Sequence, residues 1–373
     1  MKNHVNILVL LLLLTLASLT DAAQRPARLT FLFVQNNWNQ ELPNGDESTL
    51  GESVFGSQVL YQLNPALEFE MWGSFSSTNL TDVAEEESSF STLNDTRLRG
   101  NYYLGNGLAK FSLLVNLPTG KTGLSNEEYL TAIAVSDNAR KFLVRRFGEG
   151  FDIGAEATLG VENDVFGVQV EGGYLAKGAY EVLAESEADY KFGNELYGGG
   201  RILVYTSKSK LQAYLIYRTF GEDEFDGEPI FQAGNAMLLG LRLDENQNLP
   251  FSAGVSYLSR GKAKTLNDDE KLVSESRISA RNELSLFGGV ALPLGDILRA
   301  LGRVEYKKIS ANDYEQGETF FRPEASYLGI GGGFDARLAP TASVTAMVMY
   351  FTGDEANSDL SGLGIAAGLV LEL

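Results

Sequence analysis

Leu67-Glu68-Phe69-Glu70-Met71-Trp72-Gly73-Ser74-Phe75 decides the fold. Its odd positions are mostly apolar and its even positions, Trp72 apart, mostly polar, which is the period-two pattern of a strand whose faces meet different surroundings. Working outward, the alternation returns over Ala109–Leu117 and over Phe151–Leu159, where Phe, Ile, Ala and Leu share one face and Asp, Glu and Thr the other. A soluble sandwich also alternates. These runs, however, reach about ten residues against the five or six of an ordinary strand, the length a tilted transmembrane strand needs. Nothing after residue 23 is apolar for the roughly 20 residues of a spanning helix.

Candidate strands lie near 28–39, 51–63, 66–77, 94–104, 108–117, 150–160, 165–177, 188–206, 211–220, 230–243, 249–261, 276–292, 298–310, 320–338, 342–352 and 361–373. Their connections alternate in length. Short turns fall at Asn64-Pro65, Gly105-Asn106-Gly107, Asn163-Asp164, 207–210, 244–248, 293–296 and Ala339-Pro340-Thr341, with longer, mostly acidic loops between them. Short turns on one side, long loops on the other and both termini on the short-turn side define the expectation: an all-β chain forming a single antiparallel transmembrane β-barrel of about 16 strands, with about 14 inside the boundary error. Trp38, Trp72, Tyr102, Tyr257, Tyr306, Tyr350 and Phe351 sit near candidate strand ends, where amphipathic rings suit a lipid interface, although core aromatics are the alternative. Gly198-Gly199-Gly200 and Gly331-Gly332-Gly333 fall inside strands and permit curvature or close approach from the lumen.

The N-terminus reads as an address. Lys2 and His4 precede the apolar run Val5–Leu14, and small residues follow from Ala17 to Ala23, the three-part pattern of a secretory signal peptide over 1–23 with cleavage near Ala22 or Ala23. The barrel domain is then 24–373. Removing 1–23 takes one lysine and one aspartate, so the net charge stays at −19, and it takes His4, the only histidine. With Cys 0 in the whole chain, catalytic triads, thiol nucleophiles and imidazole or thiolate metal sites are excluded from the mature protein. No enzyme, cofactor or metal is expected. The acidic balance also argues against a nucleic-acid partner, which needs a concentrated basic surface.

The last six residues, Gly368-Leu369-Val370-Leu371-Glu372-Leu373, resemble the C-terminal assembly signal of bacterial outer-membrane barrels, with Leu373 where that signal usually carries an aromatic residue. Leu117-Pro118-Thr119-Gly120, at a strand end, resembles the equivalent stretch of outer-membrane barrel proteins assigned to transport in aromatic-degradation pathways. The resemblance implies a porin- or transporter-like barrel of the bacterial outer membrane, with membrane lipid, the barrel assembly machinery and an unidentified small solute as partners, passive passage and no cofactor. A structural or adhesive surface barrel with a plugged lumen is the alternative.

Several motifs dissolve on inspection. Gly120-Lys121-Thr122 lacks the glycine that a nucleotide-binding loop needs at the position of Val115. Asn79-Leu80-Thr81 and Asn94-Asp95-Thr96 are formal glycosylation sites, inert in a bacterium. The acidic clusters 85–87, 222–224 and 268–270 have no calcium-loop spacing and read as solvated loops.

The longest loop, 118–149, carries more. Ser125-Asn126-Glu127-Glu128 is a capping box opening a short helix near Asn126, and Tyr129, Leu130, Ile133 and Ala134 form its apolar face. With Ser125 and Glu128 at its cap, that helix either folds into the barrel mouth and narrows it or packs on a small core of the loop itself. Alternation further assigns Leu67, Phe69, Phe111, Leu113, Ile153 and Val170 to lipid, and Glu68, Glu70, Lys110, Asp152 and Glu156 to the lumen. Around the 293–296 turn, Arg277, Arg281 and Glu283 on one strand and Arg299, Arg303, Glu305 and Lys307 on the next also face inward. A turn centred near Gly295 sets Glu283 opposite Lys307 and leaves the four arginines as a basic stripe favouring small anions, unless carboxylates such as Glu324 neutralise it.

Overall fold

A computed structural model of the chain describes residues 27–82, 84, 86–136, 140, 142–144, 147–186, 188–245 and 249–373; the expected signal peptide lies outside them. Alternating apolar and polar side chains cannot satisfy a helix, and the long strands they form pair in sequence order. These are β1 (Ala27–Glu41), β2 (Glu47–Asn64), β3 (Leu67–Thr81), β4 in two parts (Glu87–Leu93 and Thr96–Leu104), β5 (Ala109–Leu117), β6 (Asp152–Glu162), β7 (Phe166–Ala176) and β8 (Glu195–Tyr205). There follow β9 (Ser209–Phe220), β10 (Ala236–Glu245), β11 (Phe251–Arg260), β12 (Glu283–Pro293), β13 (Leu298–Ile309), β14 (Ala325–Ala339), β15 (Ala342–Glu355) and β16 (Ser358–Glu372).

Counting β4 once, the 17 paired segments make 16 staves among the described residues. Each neighbouring pair is antiparallel, and β1 closes the circle on β16 from Arg28 opposite Glu372 to Glu41 opposite Asp359. Closure joins the first and last staves of the ring, the condition for burying a β-wall in hydrocarbon, and the loop-side half of β4, Glu87–Leu93, pairs among the described residues with β3 alone.

The wall is turned inside out relative to a soluble protein. Exposed on its outside are Phe33, Phe55, Phe69, Phe111, Leu113, Ile153, Val170, Leu215, Leu239, Val304, Ile330 and Val348. On the inside, Glu52, Ser76, Thr78, Asn101, Ser112 and Asp152 are buried. Of the aromatics read as girdle residues, Tyr102, Tyr257 and Tyr350 are exposed on the outer face. Trp38 and Phe351 are not: both are 1% exposed, packed together inside. Trp72 also points in, beside Glu70 and Arg97 along one cavity.

Several strand limits differ from the sequence reading. β4 begins at Glu87 rather than 94 and is broken at Asn94-Asp95. The candidate strands 188–206 and 230–243 each divide: Asp189–Lys191 and Glu228–Gln232 belong to a separate six-stranded sheet that extends the wall beyond β7 to β12. The two sheets part at glycines that face each other across neighbouring strands. A Cβ on Gly193 would lie 2.2 Å from the Gly221 carbonyl oxygen, and one on Gly234 2.0 Å from that of Gly261. No side chain fits so close an approach, so the bend requires glycine. On the loop side, not every connection is long: 42–46 and 356–357 are tight hairpins.

Candidate functional site: a lumen loop and the cavities beside it

The connection from β5 to β6 folds inward. Its neck is built on the break in β4, where Asp95 has left the ladder. The Asp95 carboxylate accepts the Gly120 N–H at 2.8 Å, the Glu149 N–H at 2.8 Å and the Asn116 amide at 3.1 Å. Its own N–H donates to the Phe147 carbonyl at 3.3 Å. One interrupted strand thus holds both ends of the loop, with Thr119 Oγ1 donating to the Asn94 carbonyl at 3.0 Å.

Beyond the neck runs α1 (Asn126–Ser136). Its capping box is reciprocal: the Glu128 N–H donates to Ser125 Oγ at 3.3 Å and the Ser125 N–H to Glu128 Oε2 at 2.9 Å. Desolvation acts to raise the Glu128 pKa, but hydrogen bonds from Lys121 and Ser125 outweigh it and hold the carboxyl below its ordinary value. The buried face differs from the expected one. Thr131 and Val135 are fully buried, Tyr129, Ala132 and Ala134 pack beside the core, and Leu130 and Ile133 stand 62% and 49% exposed.

What the loop buries itself against is the inner wall. Leu124, Val135, Phe142 and Phe147 join Trp38, Leu50, Phe90, Tyr327, Met349, Phe351 and Leu360 in one cluster spanning β1, β2, β4 and β14 to β16. Trp38 stacks on Phe351 at 5.1 Å, Tyr327 meets both edge-on, and Phe90 meets Phe147 edge-on at 4.6 Å. Glu52, 1% exposed on β2, accepts the backbone N–H groups of Leu143 and Val144 at 2.8 and 2.9 Å. Arg140 donates to Gln40 at 2.8 Å and sits 3.6 Å from Glu355. The loop does not pack on a private core.

The opposite sector, β8 to β12, stays clear of this cluster. Between loop and wall lies a cavity of about 570 Å³, with Tyr129 and Ile133 on the loop side and Tyr180, Phe192 and Arg260 facing them. A second, of about 610 Å³, is lined by Trp72, Arg97, Glu149, Tyr197 and Arg218. Both are edged by charge. Lys177, with a side chain 6% exposed, lies 3.1 Å from Asp152, 3.7 Å from Glu149 and 3.8 Å from Glu195.

The residues singled out in the sequence fall as follows. Glu68 accepts hydrogen bonds from Asn101 at 2.8 Å and Tyr103 at 3.1 Å, and Glu70 from Gln58 at 2.6 Å. Glu156 takes the Tyr197 hydroxyl at 2.7 Å and lies 3.4 Å from Arg99, while Lys110 stands opposite Tyr103. Arg277 and Arg281 precede β12, which starts only at Glu283. Arg277 pairs with Glu315 and Glu318, and Arg281 reaches Glu355 at 3.8 Å. Arg299 pairs with Asp335 at 2.7 Å and Arg303 with Glu305 at 3.1 Å, so no bare basic stripe exists. Glu324 plays no part there; it binds Lys308. Glu283 lies opposite Ile309 and Lys307 opposite Ser285, yet the two still meet diagonally at 3.1 Å, with Arg260 at 2.8 Å.

Sequence reasoning passed over Asp95, Glu52 and Lys177 as site residues and set Trp38 at a lipid interface. Asp95 stood in a formal glycosylation site, and its signal was the Asn-Asp pair interrupting an otherwise alternating stretch.

The closed wall, apolar outer band and polar interior define a transmembrane β-barrel of the outer-membrane type. No family model matches the sequence, and no curated protein matches it. Among solved structures, the chain is similar to an outer membrane channel from Pseudomonas putida F1, with 10% identity over 94% of this chain and 97% of that one and a TM-score of 0.41. It is also similar to the CymD monoaromatic hydrocarbon channel (10% identity, 94% and 89% covered, TM-score 0.44) and to an anion-selective porin from Comamonas acidovorans (12%, 94% and 100%, 0.42).

Proposed function

We propose that the barrel passes small polar solutes passively across the bacterial outer membrane, through the opening between the β5–β6 loop and the wall of β8 to β12. The observation that carries this reading is the docking of the loop on one sector of the inner wall. Leu124, Val135, Phe142 and Phe147 are spent on the aromatic cluster, Tyr129 and Ile133 line the open side, and the wall beyond carries paired charges such as Lys177 with Asp152 and Arg218 with Glu195. A solute there meets hydrogen-bonding groups that replace part of its hydration shell without holding it tightly. Secretion with cleavage near Ala22 or Ala23 belongs to the same reading, and N-terminal sequencing of the membrane-extracted protein tests it.

Conductance in planar bilayers, with swelling of liposomes in sugars, amino acids and aromatic acids of graded size, tests passage. The parent should conduct, and deletion of 124–146 should raise conductance while the barrel stays folded. A parent and a deletion variant that are both closed would overturn passage in favour of a structural or adhesive barrel. Equal conductance in the two would remove the loop as the constriction.

A further inference from the structure

In the half of the lumen near the short turns, two arginines from different strands approach one phenylalanine. Phe287 on β12 lies flat because its neighbour across the ladder is Gly254, where a Cβ would be 2.5 Å from the ring. Arg242 on β10 brings its guanidinium carbon to 5.8 Å from the ring centroid, and Arg303 on β13 comes to 5.9 Å. Each has a carboxylate partner on its own strand, but neither is saturated. Asp244 takes Nε and Nη2 of Arg242, and Glu305 takes Nε of Arg303. Nη1 of the first and both terminal nitrogens of the second have no acceptor among the described residues. Their side chains are 50% and 41% exposed to a cavity of about 260 Å³ that Leu301 and Met347 also line.

We infer that Arg242, Phe287 and Arg303 form a carboxylate subsite in the lumen, fitted to a small monocarboxylate with an apolar body. Two guanidinium groups offer three unused N–H-bearing nitrogens, the fork geometry that recognises carboxylate oxygens. Phe287, Leu301 and Met347 give the rest of the molecule an apolar floor. Asp244 and Glu305 balance the two positive charges and Glu245 also lines the cavity, so the site holds an anion by short-range hydrogen bonds rather than by a deep potential well. Its affinity is therefore low, in the millimolar range, as a passage requires if its solute is to leave. The subsite gains its meaning as a station on the permeation path from the passage reading above, but its existence is a matter of binding.

The test measures binding without asking for conduction. Butyrate is titrated into the folded, detergent-solubilised barrel and followed by saturation-transfer NMR. The parent should show saturable binding. Arg242→Met with Arg303→Met should weaken it by about tenfold or more, Phe287→Leu should weaken it less, and Arg299→Met with Arg337→Met, which remove the same charge outside the cavity, should leave it unchanged. Gel migration before and after boiling shows that each variant is folded. Absent or non-saturable binding in the parent overturns the subsite, and so does equal loss in the Arg299/Arg337 variant. A parent that binds butyrate but conducts nothing in bilayers keeps the subsite and removes the passage reading.

Discussion

Asp95 shows how much of a lumen loop's placement is set by one side chain. A carboxylate in the wall accepts two backbone N–H groups from opposite ends of the loop neck, and each such charge-assisted bond is worth about 1.5–3 kcal/mol when its loss leaves a partner unpaired. Asp95→Ala should therefore free the loop while the barrel persists. Limited proteolysis should cut within 118–151 much faster than in the parent, and unchanged protection would show that Glu52 and the aromatic cluster hold the loop unaided. Glu128 acts at the same scale through pH. Its folded pKa lies below the ordinary 4.5, so its contribution is fully present above that value and is lost as pH falls through the folded pKa. Loop protection in the parent should decline as pH drops below about 4.5. Glu128→Gln should be less protected at pH 7 and lack this part of the decline; identical pH profiles would remove Glu128 as a contributor.

At the scale of strands and hairpins, the faces of the wall are robust and their ends are not. Phe111 is 44% exposed on the outer face of β5 and its neighbour Ser112 is buried inside. Phe111→Arg should cost about 2–4 kcal/mol if it sits near the bilayer midplane. Urea titration of refolding into lipid vesicles measures this, and a cost below 1 kcal/mol would place Phe111 at the interface. Period two is why such faces were legible without a structure. The β12–β13 hairpin makes the point sharply: its turn is centred on Asp296, not Gly295, which slides the pairing by two residues. An even slip preserves every inward face, so Glu283 and Lys307 still meet while their direct partners change. Other features were hidden for physical reasons. Glu87–Leu93 is rich in serine, and its only large apolar inward residue is Phe90, so half of β4 escaped notice. The helix face was chosen by hydrophobicity, which favoured Leu130 and Ile133. In the structure, α1 is buried through Thr131 and Val135, with Thr131 at 2.5 Å from Ser88, and Ile133 faces the open cavity. Nothing local in the sequence reports which side of a lumen helix meets the wall.

For the whole molecule, charge divides between lumen and rim. Inside, Arg99 pairs with Glu156, Arg201 with Glu171, Arg218 with Glu195, Arg260 and Lys307 with Glu283, Arg299 with Asp335 and Arg303 with Glu305. Such pairs cancel at a distance, whereas Glu68, Glu70 and Asp95 take hydrogen bonds from neutral groups and add negative charge. The chain as a whole carries −19, and acidic runs such as Asp268-Asp269-Glu270 and Glu315 with Glu318 lie in the loops on the side from which the β5–β6 loop enters. A small ion approaching that mouth meets a net negative potential, because Arg277 is outnumbered there by its partners Glu315 and Glu318 and by Asp268-Asp269-Glu270. On the proposed passage, the barrel should therefore prefer potassium over chloride weakly, and the preference should fade with salt as the screening length shortens from about 30 Å at 0.01 M to about 3 Å at 1 M. Replacing Arg299 and Arg303 by alanine removes the positive charges beside Asp335 and Glu305 and should strengthen the cation preference. Reversal potentials across potassium chloride gradients at low and high salt measure both effects. Anion preference in the parent at low salt, or a shift toward anions in the double variant, would show that the arginines govern selectivity despite their paired carboxylates.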